Sequence, residues 1–171
     1  MARNVEVKAE LLDRVGAEAW ATARCRSGPE LLEQEDVFFP CEGARLKLRI
    51  SGPKRGELIR YQRKDAAEVR TSEYLLARTN DPQALREILT ATLGTAGVVR
   101  KTRLLYLVGQ TRVHIDQVEG LGDFLELEVV MRPEQSDQEG KQIAEGLLSE
   151  LGIGKSELLA MAYVDMLKTT T

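Results

Sequence analysis

Residues 45–50 read Arg45-Leu46-Lys47-Leu48-Arg49-Ile50, a strict alternation of cation and aliphatic. A period of two is the signature of a β-strand, so Leu46, Leu48 and Ile50 share one face and the three cations share the other, about 6.6–7 Å apart. An ordinary half-buried strand turns its polar face to water. A row of like charges repels itself, however, and becomes useful opposite an anion with several oxygens.

The same arrangement recurs along the chain. Lys101 and Arg103 share a face within Val98–Val108, and Arg112, His114 and Asp116 share one within Gln110–Val118, against Val113 and Ile115. Acidic pairs sit elsewhere: Glu126 and Glu128 alternate with Leu125, Leu127 and Val129 within Asp123–Met131, and Asn4, Glu6 and Lys8 alternate with Val5, Val7 and Ala9 in the opening strand Asn4–Glu10. If these faces all turn inward in a closed sheet, one wall offers carboxylates and the rest offers cations. That layout suits a divalent metal held by oxygen ligands and bridged to phosphates. His114 is the sole histidine; on a strand it reads first as structural, and as phosphate-contacting at most.

Around these strands the punctuation is that of a meander. Leu32–Phe39, Ala44–Ser51 and Glu57–Arg63 are separated by Pro40, Gly43, Gly52, Pro53 and Gly56, and a further strand is expected over Glu68–Leu76. Helices are expected over Leu11–Arg24, ended by a loop at Ser27, Gly28 and Pro29, and from the N-cap Asp81 with Pro82 to Gly94. Two more close the chain, one from the capping box Ser136/Glu139 and one capped by Ser156 and running to about Lys168. Arg60, Arg63, Lys64 and Arg70 turn inward or outward on a one-residue change of register; of these only Arg70 is carried forward as a candidate.

The chain has 171 residues, 43% hydrophobic and 30% charged, which supports one domain over 1–171 with a packed core and a solvated surface. The net charge of −3 and the scarcity of aromatics on the strands argue against a nucleic-acid surface. No apolar run suits a signal peptide or a spanning helix, so a cytoplasmic protein without membrane association is expected. Cys25 and Cys41 read as two reduced thiols.

The opening Asn4-Val5-Glu6-Val7-Lys8, the row Arg45 to Arg49, and the run Thr111-Arg112-Val113-His114-Ile115-Asp116 continued by Glu119-Gly120-Leu121-Gly122-Asp123-Phe124-Leu125-Glu126-Leu127-Glu128 resemble the CYTH superfamily, the triphosphate tunnel metalloenzymes. Within it the resemblance points to the class IV adenylyl cyclase, CyaB-like branch, and extends to Tyr163-Val164-Asp165-Met166-Leu167. It implies an α+β fold: a closed eight-stranded antiparallel barrel or tunnel with helices packed outside. It also implies Mg2+ or Mn2+ on Glu6, Glu126 and Glu128. The phosphate-binding positions it implies are Arg45, Lys47, Arg49, Lys101, Arg103 and Arg112, with Lys8 at the lysine that closes the N-terminal motif; Arg70 and His114 join them as candidate phosphate contacts from the strand pattern, and Lys8 and Asp116 are the candidate catalytic groups, Asp116 either joining the metal site or positioning a nucleophile.

The family motif is Glu-x-Glu-x-Lys, and here Asn4 stands at its first position; an amide oxygen can ligate a hard cation but brings no charge. The leading expectation is metal-dependent hydrolysis of tripolyphosphate, ATP or a similar triphosphate. Cyclisation of ATP to cyclic AMP and pyrophosphate is the alternative, and a non-catalytic triphosphate or polyphosphate binder the second. A homodimer is left open.

Overall fold

The computed structural model describes residues 2–62 and 67–170. Eight strands form: β1 (Ala2–Glu10), β2 (Ser27–Phe39), β3 (Arg45–Gly52), β4 (Arg55–Gln62), β5 (Arg70–Thr79), β6 (Gly97–Val108), β7 (Thr111–Val118) and β8 (Gly122–Val130). They close into one antiparallel barrel in the order β1-β5-β4-β3-β2-β6-β7-β8. The expected eight-stranded closed sheet is therefore what the chain builds. Arg63 and Lys64, whose placement was open, lie outside the described residues.

Helices α1 (Arg14–Arg24), α2 (Pro82–Leu93), α3 (Asp137–Glu150) and α4 (Tyr163–Thr169) lie around this barrel. Their ends follow from the capping residues. The Asp81 side chain accepts from Ala84 N, Pro82 occupies the first turn, and Gly94 at φ +77° ends α2. Ser136 and Glu139 form the reciprocal capping box of α3. α1 starts later than the expected Leu11, because Asp13 caps it through Gly16 N while Leu11 N still donates to Asp123 O beside the sheet.

Two further expectations are corrected. Ser27–Pro29 belongs to β2 rather than to a loop; the register of β2 against β6 shifts between Ser27 and Glu30, and a bulge tolerates the proline that an ordinary ladder position would reject. Ser156 does not cap the last helix. It lies in a short 3-10 turn, Lys155–Glu157, after which Leu158 bridges Ala9 and Leu159 N donates to Lys8 O. This extended pairing holds the chain out of helical geometry until Ala162, so α4 begins at Tyr163.

The barrel is apolar outside and charged inside. Val5, Val7, Val113, Ile115, Leu125, Leu127 and Val129 are almost fully buried under α1 and α3, against Ala17, Ala21, Ala144 and Leu148. Burying each such aliphatic side chain is worth about 1.5–3 kcal/mol, so the outer face of β1, β7 and β8 is the principal core. α3 sits close because Gly140 faces Val5 and Met131; a Cβ there would meet Val5 Cγ2 at 2.6 Å. A second cluster packs Leu85 and Leu89 of α2 on Val37, Phe39, Leu48 and Ile50. No described helix is long and apolar enough to cross a membrane.

One end of the barrel is plugged. Phe38, Val99, Val118 and Phe124 pack with Ala162, Tyr163 and Val164, and Arg45 ties α4 to β3 by an ion pair with Asp165 at 2.7 Å. Gly97 permits this approach, since a Cβ on it would meet Val164 Cγ2 at 2.5 Å.

Candidate active site

Because side chains alternate along each strand, packing the aliphatic face against helices sends the other face into the barrel. The result is a cavity of about 170 Å3 whose lining includes Asn4, Glu6 and Lys8 of β1, Asp36 of β2, Lys47 and Arg49 of β3, Lys101 and Arg103 of β6, Arg112 of β7, and Glu126 and Glu128 of β8. Residues from six strands thus meet in one space. Charges so far from water persist only when paired or when awaiting a charged ligand.

Two aspartates organise the cations. Asp36, 2% exposed, accepts from Arg49 Nε at 2.8 Å and Arg49 Nη2 at 2.8 Å, and from Lys47 Nζ at 2.9 Å; Lys101 Nζ lies 3.7 Å away. Burial alone would raise its carboxyl, but Arg49, Lys47 and Lys101 together hold it well below the usual carboxylate range. Asp116, fully buried, accepts from Arg103 Nε at 2.6 Å and Nη2 at 2.7 Å, and from Tyr163 Oη at 3.0 Å. Burial again opposes ionisation there, and Arg103 and Lys101 overcome it. These bidentate forks fix the planes of both guanidiniums.

Lys101 is only partly compensated. Burial first, and Arg103 beside it second, pull its ammonium down to about 7, against the attraction of Asp116 and Asp36. Lys8 lies over the Tyr163 ring, 3.9 Å from its centroid.

The opposite wall is acidic. Donor atoms of His114, Glu126 and Glu128 lie within 4.8 Å of one another, a cluster that can hold a metal ion. Burial and then the neighbouring Glu126 push the Glu128 carboxyl up, with Glu6 adding to the crowding. Glu126 is held well below its usual value, burial notwithstanding, by Arg103 and Lys8. A divalent cation would relieve the crowding of these carboxylates, and their oxygens suit a hard ion, so the residues present fit the metal that the resemblance implies. Burial, and Arg103 after it, keep His114 neutral.

Most of the expected site residues meet in this space, with distinctions. Arg45 shares the inward face of β3 but is engaged with Asp165 near the plugged end and does not line the cavity. Arg70 is buried with its Nε 3.6 Å from Glu6 Oε1, whereas Arg60 alternates with the cavity-lining Ile59 and Tyr61 and so faces outward. His114, expected at most as a phosphate contact, lies with Glu126 and Glu128. Asp116 is committed to Arg103 and Tyr163. Asp36 and Tyr163 were missed; Gln34, Asp36 and Phe38 share a face at period two, which was the signal available for Asp36. Nothing in the sequence marked Tyr163 as an inward group, because its position depends on where α4 docks.

A model of the CYTH domain family matches residues 2–163. Among curated proteins the chain is 25% identical to the adenylate cyclase CyaB of Aeromonas hydrophila over 172 residues, covering 93% of this chain and 85% of the relative. The fold is similar to the structure of PH1012 from Pyrococcus horikoshii, with a TM-score of 0.83 at 23% identity over 95% of this chain and 98% of that one. It is also similar to HpAC1 from Hippeastrum, a protein reported to reveal a dominant triphosphatase activity, with a TM-score of 0.67 at 15% identity, covering 100% of this chain and 97% of that one.

Proposed function

The chain belongs to the CYTH domain family, and on that premise we propose that it is a metal-dependent phosphohydrolase that removes the terminal phosphate from tripolyphosphate or from an organic or nucleoside triphosphate held in the tunnel. One observation carries this reading: the walls of one cavity carry carboxylates from β1 and β8 and cations from β1, β3, β6 and β7, with Arg103 3.3 Å from Glu126 and Arg112 3.4 Å from Glu128. Phosphoryl transfer asks chiefly for positioning and charge neutralisation, which such walls supply.

A divalent ion, Mg2+ or Mn2+, on Glu126 and Glu128 with Glu6 on the adjoining strand would neutralise phosphate oxygens and polarise the bond to be broken. The protein's own groups do the rest. Arg49 and Arg103 are presented as rigid forks because Asp36 and Asp116 hold their planes. Lys8, Lys47 and Arg112 supply further charge along the chain of phosphates. Lys101, poised near neutrality, takes up a proton as the anion arrives. We place the protein in the cytoplasm on this reading, where its two free cysteines suit a reducing compartment.

A second reading is favoured by one wall and one relative. On β4 and β5 the cross-strand pairs Ile59/Leu76 and Tyr61/Tyr74 line the cavity with apolar and aromatic surface, which an inorganic phosphate chain does not need. Such a surface suits a nucleoside, and the likeness to CyaB of Aeromonas hydrophila suits cyclisation of ATP by attack of the ribose 3′ oxygen on the α-phosphorus. Asn4 in place of the motif's first glutamate supports a third reading, binding without turnover.

A metal titration with two readouts separates them. Orthophosphate released from tripolyphosphate or ATP is expected; cyclic AMP from ATP would favour cyclisation, and tight tripolyphosphate binding with neither product would leave only a binder. A sharp rise in activity on Asn4→Glu would identify the asparagine as limiting the metal.

A further inference from the structure

His114 lies beside the carboxylates of β8, behind the residues that line the cavity. It is 4% exposed, and its Nδ1 is buried with no hydrogen-bond partner. A buried ring nitrogen is ordinarily satisfied, and in a metal site its other nitrogen is the one that a second group orients. Nδ1 lies 3.9 Å from Glu128 Oε1, too long for a hydrogen bond. It shares the 4.8 Å cluster with Glu126 and Glu128. Two donors on one ion at about 2.0–2.3 Å each lie up to roughly 4.6 Å apart, so Nδ1 and Glu128 Oε1, at 3.9 Å, stand at the spacing of two ligands to a common ion, and Glu126 needs only a small adjustment to join them.

A second orphan points to the same space. Asn4 Oδ1 is buried without a partner on β1, lining the same cavity, where the family motif carries a glutamate. The carboxylates of β8 therefore face an imidazole on one side and a neutral amide on the other. We propose that His114 Nδ1 is a direct ligand of the cation, giving a nitrogen-containing site that takes Mn2+ or a later first-row ion in preference to Mg2+. This rests on reading Glu126 and Glu128 as metal ligands. The chemistry is that of donor softness: imidazole binds transition ions well and Mg2+ poorly, while carboxylate, carbonyl and water suit the harder ion.

The test uses the full chain without a histidine tag, so that His114 is its only imidazole. Mn2+ is added and its bound fraction examined by pulsed electron paramagnetic resonance, with Mn2+ and Mg2+ affinities from calorimetry. The expected result is a nitrogen coupling characteristic of imidazole, lost when the single histidine is 15N-labelled and replaced by the corresponding 15N signal. His114→Gln should remove the coupling and lower the ratio of Mn2+ to Mg2+ affinity by about tenfold or more. Mn2+ that binds, and is lost in Glu128→Gln, but shows no imidazole coupling overturns the role of His114 while leaving the metal reading intact. Absence of Mn2+ binding, or binding indifferent to Glu128→Gln, overturns both. The wild-type spectrum decides the matter even if the histidine variant does not fold.

Discussion

Arg103 donates to both oxygens of Asp116, at 2.6 and 2.7 Å, inside the barrel, where both groups are almost fully buried. The pair joins β6 to β7, and Tyr163 from α4 completes it by donating its hydroxyl to Asp116 Oδ2. Removing one partner of a buried pair leaves the other charge uncompensated, at a cost of about 3–5 kcal/mol. Asp116→Asn is expected to lose stability on that scale in chemical denaturation. A loss below about 1 kcal/mol would mean that Arg103 finds other partners and that the pair does not hold the tunnel.

Glu128 behaves oppositely. Its carboxyl is raised by burial and by Glu126, so the folded protein is better off with it neutral. Glu128→Gln is therefore expected to keep or raise the melting temperature while abolishing both orthophosphate release and cyclic AMP formation. Unchanged turnover in this variant would remove the metal assignment.

Lys101 sets a pH dependence whose sign is fixed. In the free protein its pKa is lowered to about 7, and a bound polyanion restores the protonated form. Binding takes up a proton above pH 7, so affinity for tripolyphosphate should fall there, by at most tenfold per pH unit for this one group. Lys101→Met should weaken binding at pH 6.5 and flatten the decline between pH 7 and 9. A wild-type affinity independent of pH across that range would contradict the assignment.

Asp36 stands where an anion would otherwise sit, against Arg49, Lys47 and Lys101. Asp36→Asn is expected to destabilise the free protein by several kcal/mol and to make it more dependent on ligand. The rise in melting temperature on adding tripolyphosphate should thus be larger in the variant than in the wild type; an equal or smaller rise would show that Asp36 does not compete for these cations.

The plug can be loosened without touching the charged groups. A Cβ at Gly97 would meet Val164 Cγ2 at 2.5 Å, so Gly97→Ala should displace α4 and withdraw Tyr163 from Asp116. Limited proteolysis is expected to cut the variant near its C-terminus faster than the wild type. Equal rates would mean that Val164 yields and α4 stays seated.

The strands were legible because their signal is local: alternation in Arg45–Ile50, Arg112–Asp116 and Leu125–Val129 follows from the pleat itself and needs no distant contact. The helix caps at Asp81 and Ser136 were legible for the same reason. Where the reading failed, at Ser27–Pro29 and at Ser156, a tertiary pairing decided the outcome: β2 runs on along β6 through a bulge, and Leu158 pairs with Ala9 before α4 can start.

By itself, then, the order of residues determined the eight strands and which side chains share a face, and hence most of the charged lining. Only the closed barrel decided what those charges do to one another. Arg45 and Arg49 are equivalent in a strand pattern, yet one is engaged with Asp165 near the plug and the other with Asp36 in the cavity. His114 and Asp116 are two residues apart on one face, yet one lies against the carboxylates and the other is bound by Arg103 and Tyr163. The reason is physical: periodicity assigns direction within a strand, whereas partners are assigned by registers between strands and by the docking of α4, which bring together residues far apart along the chain.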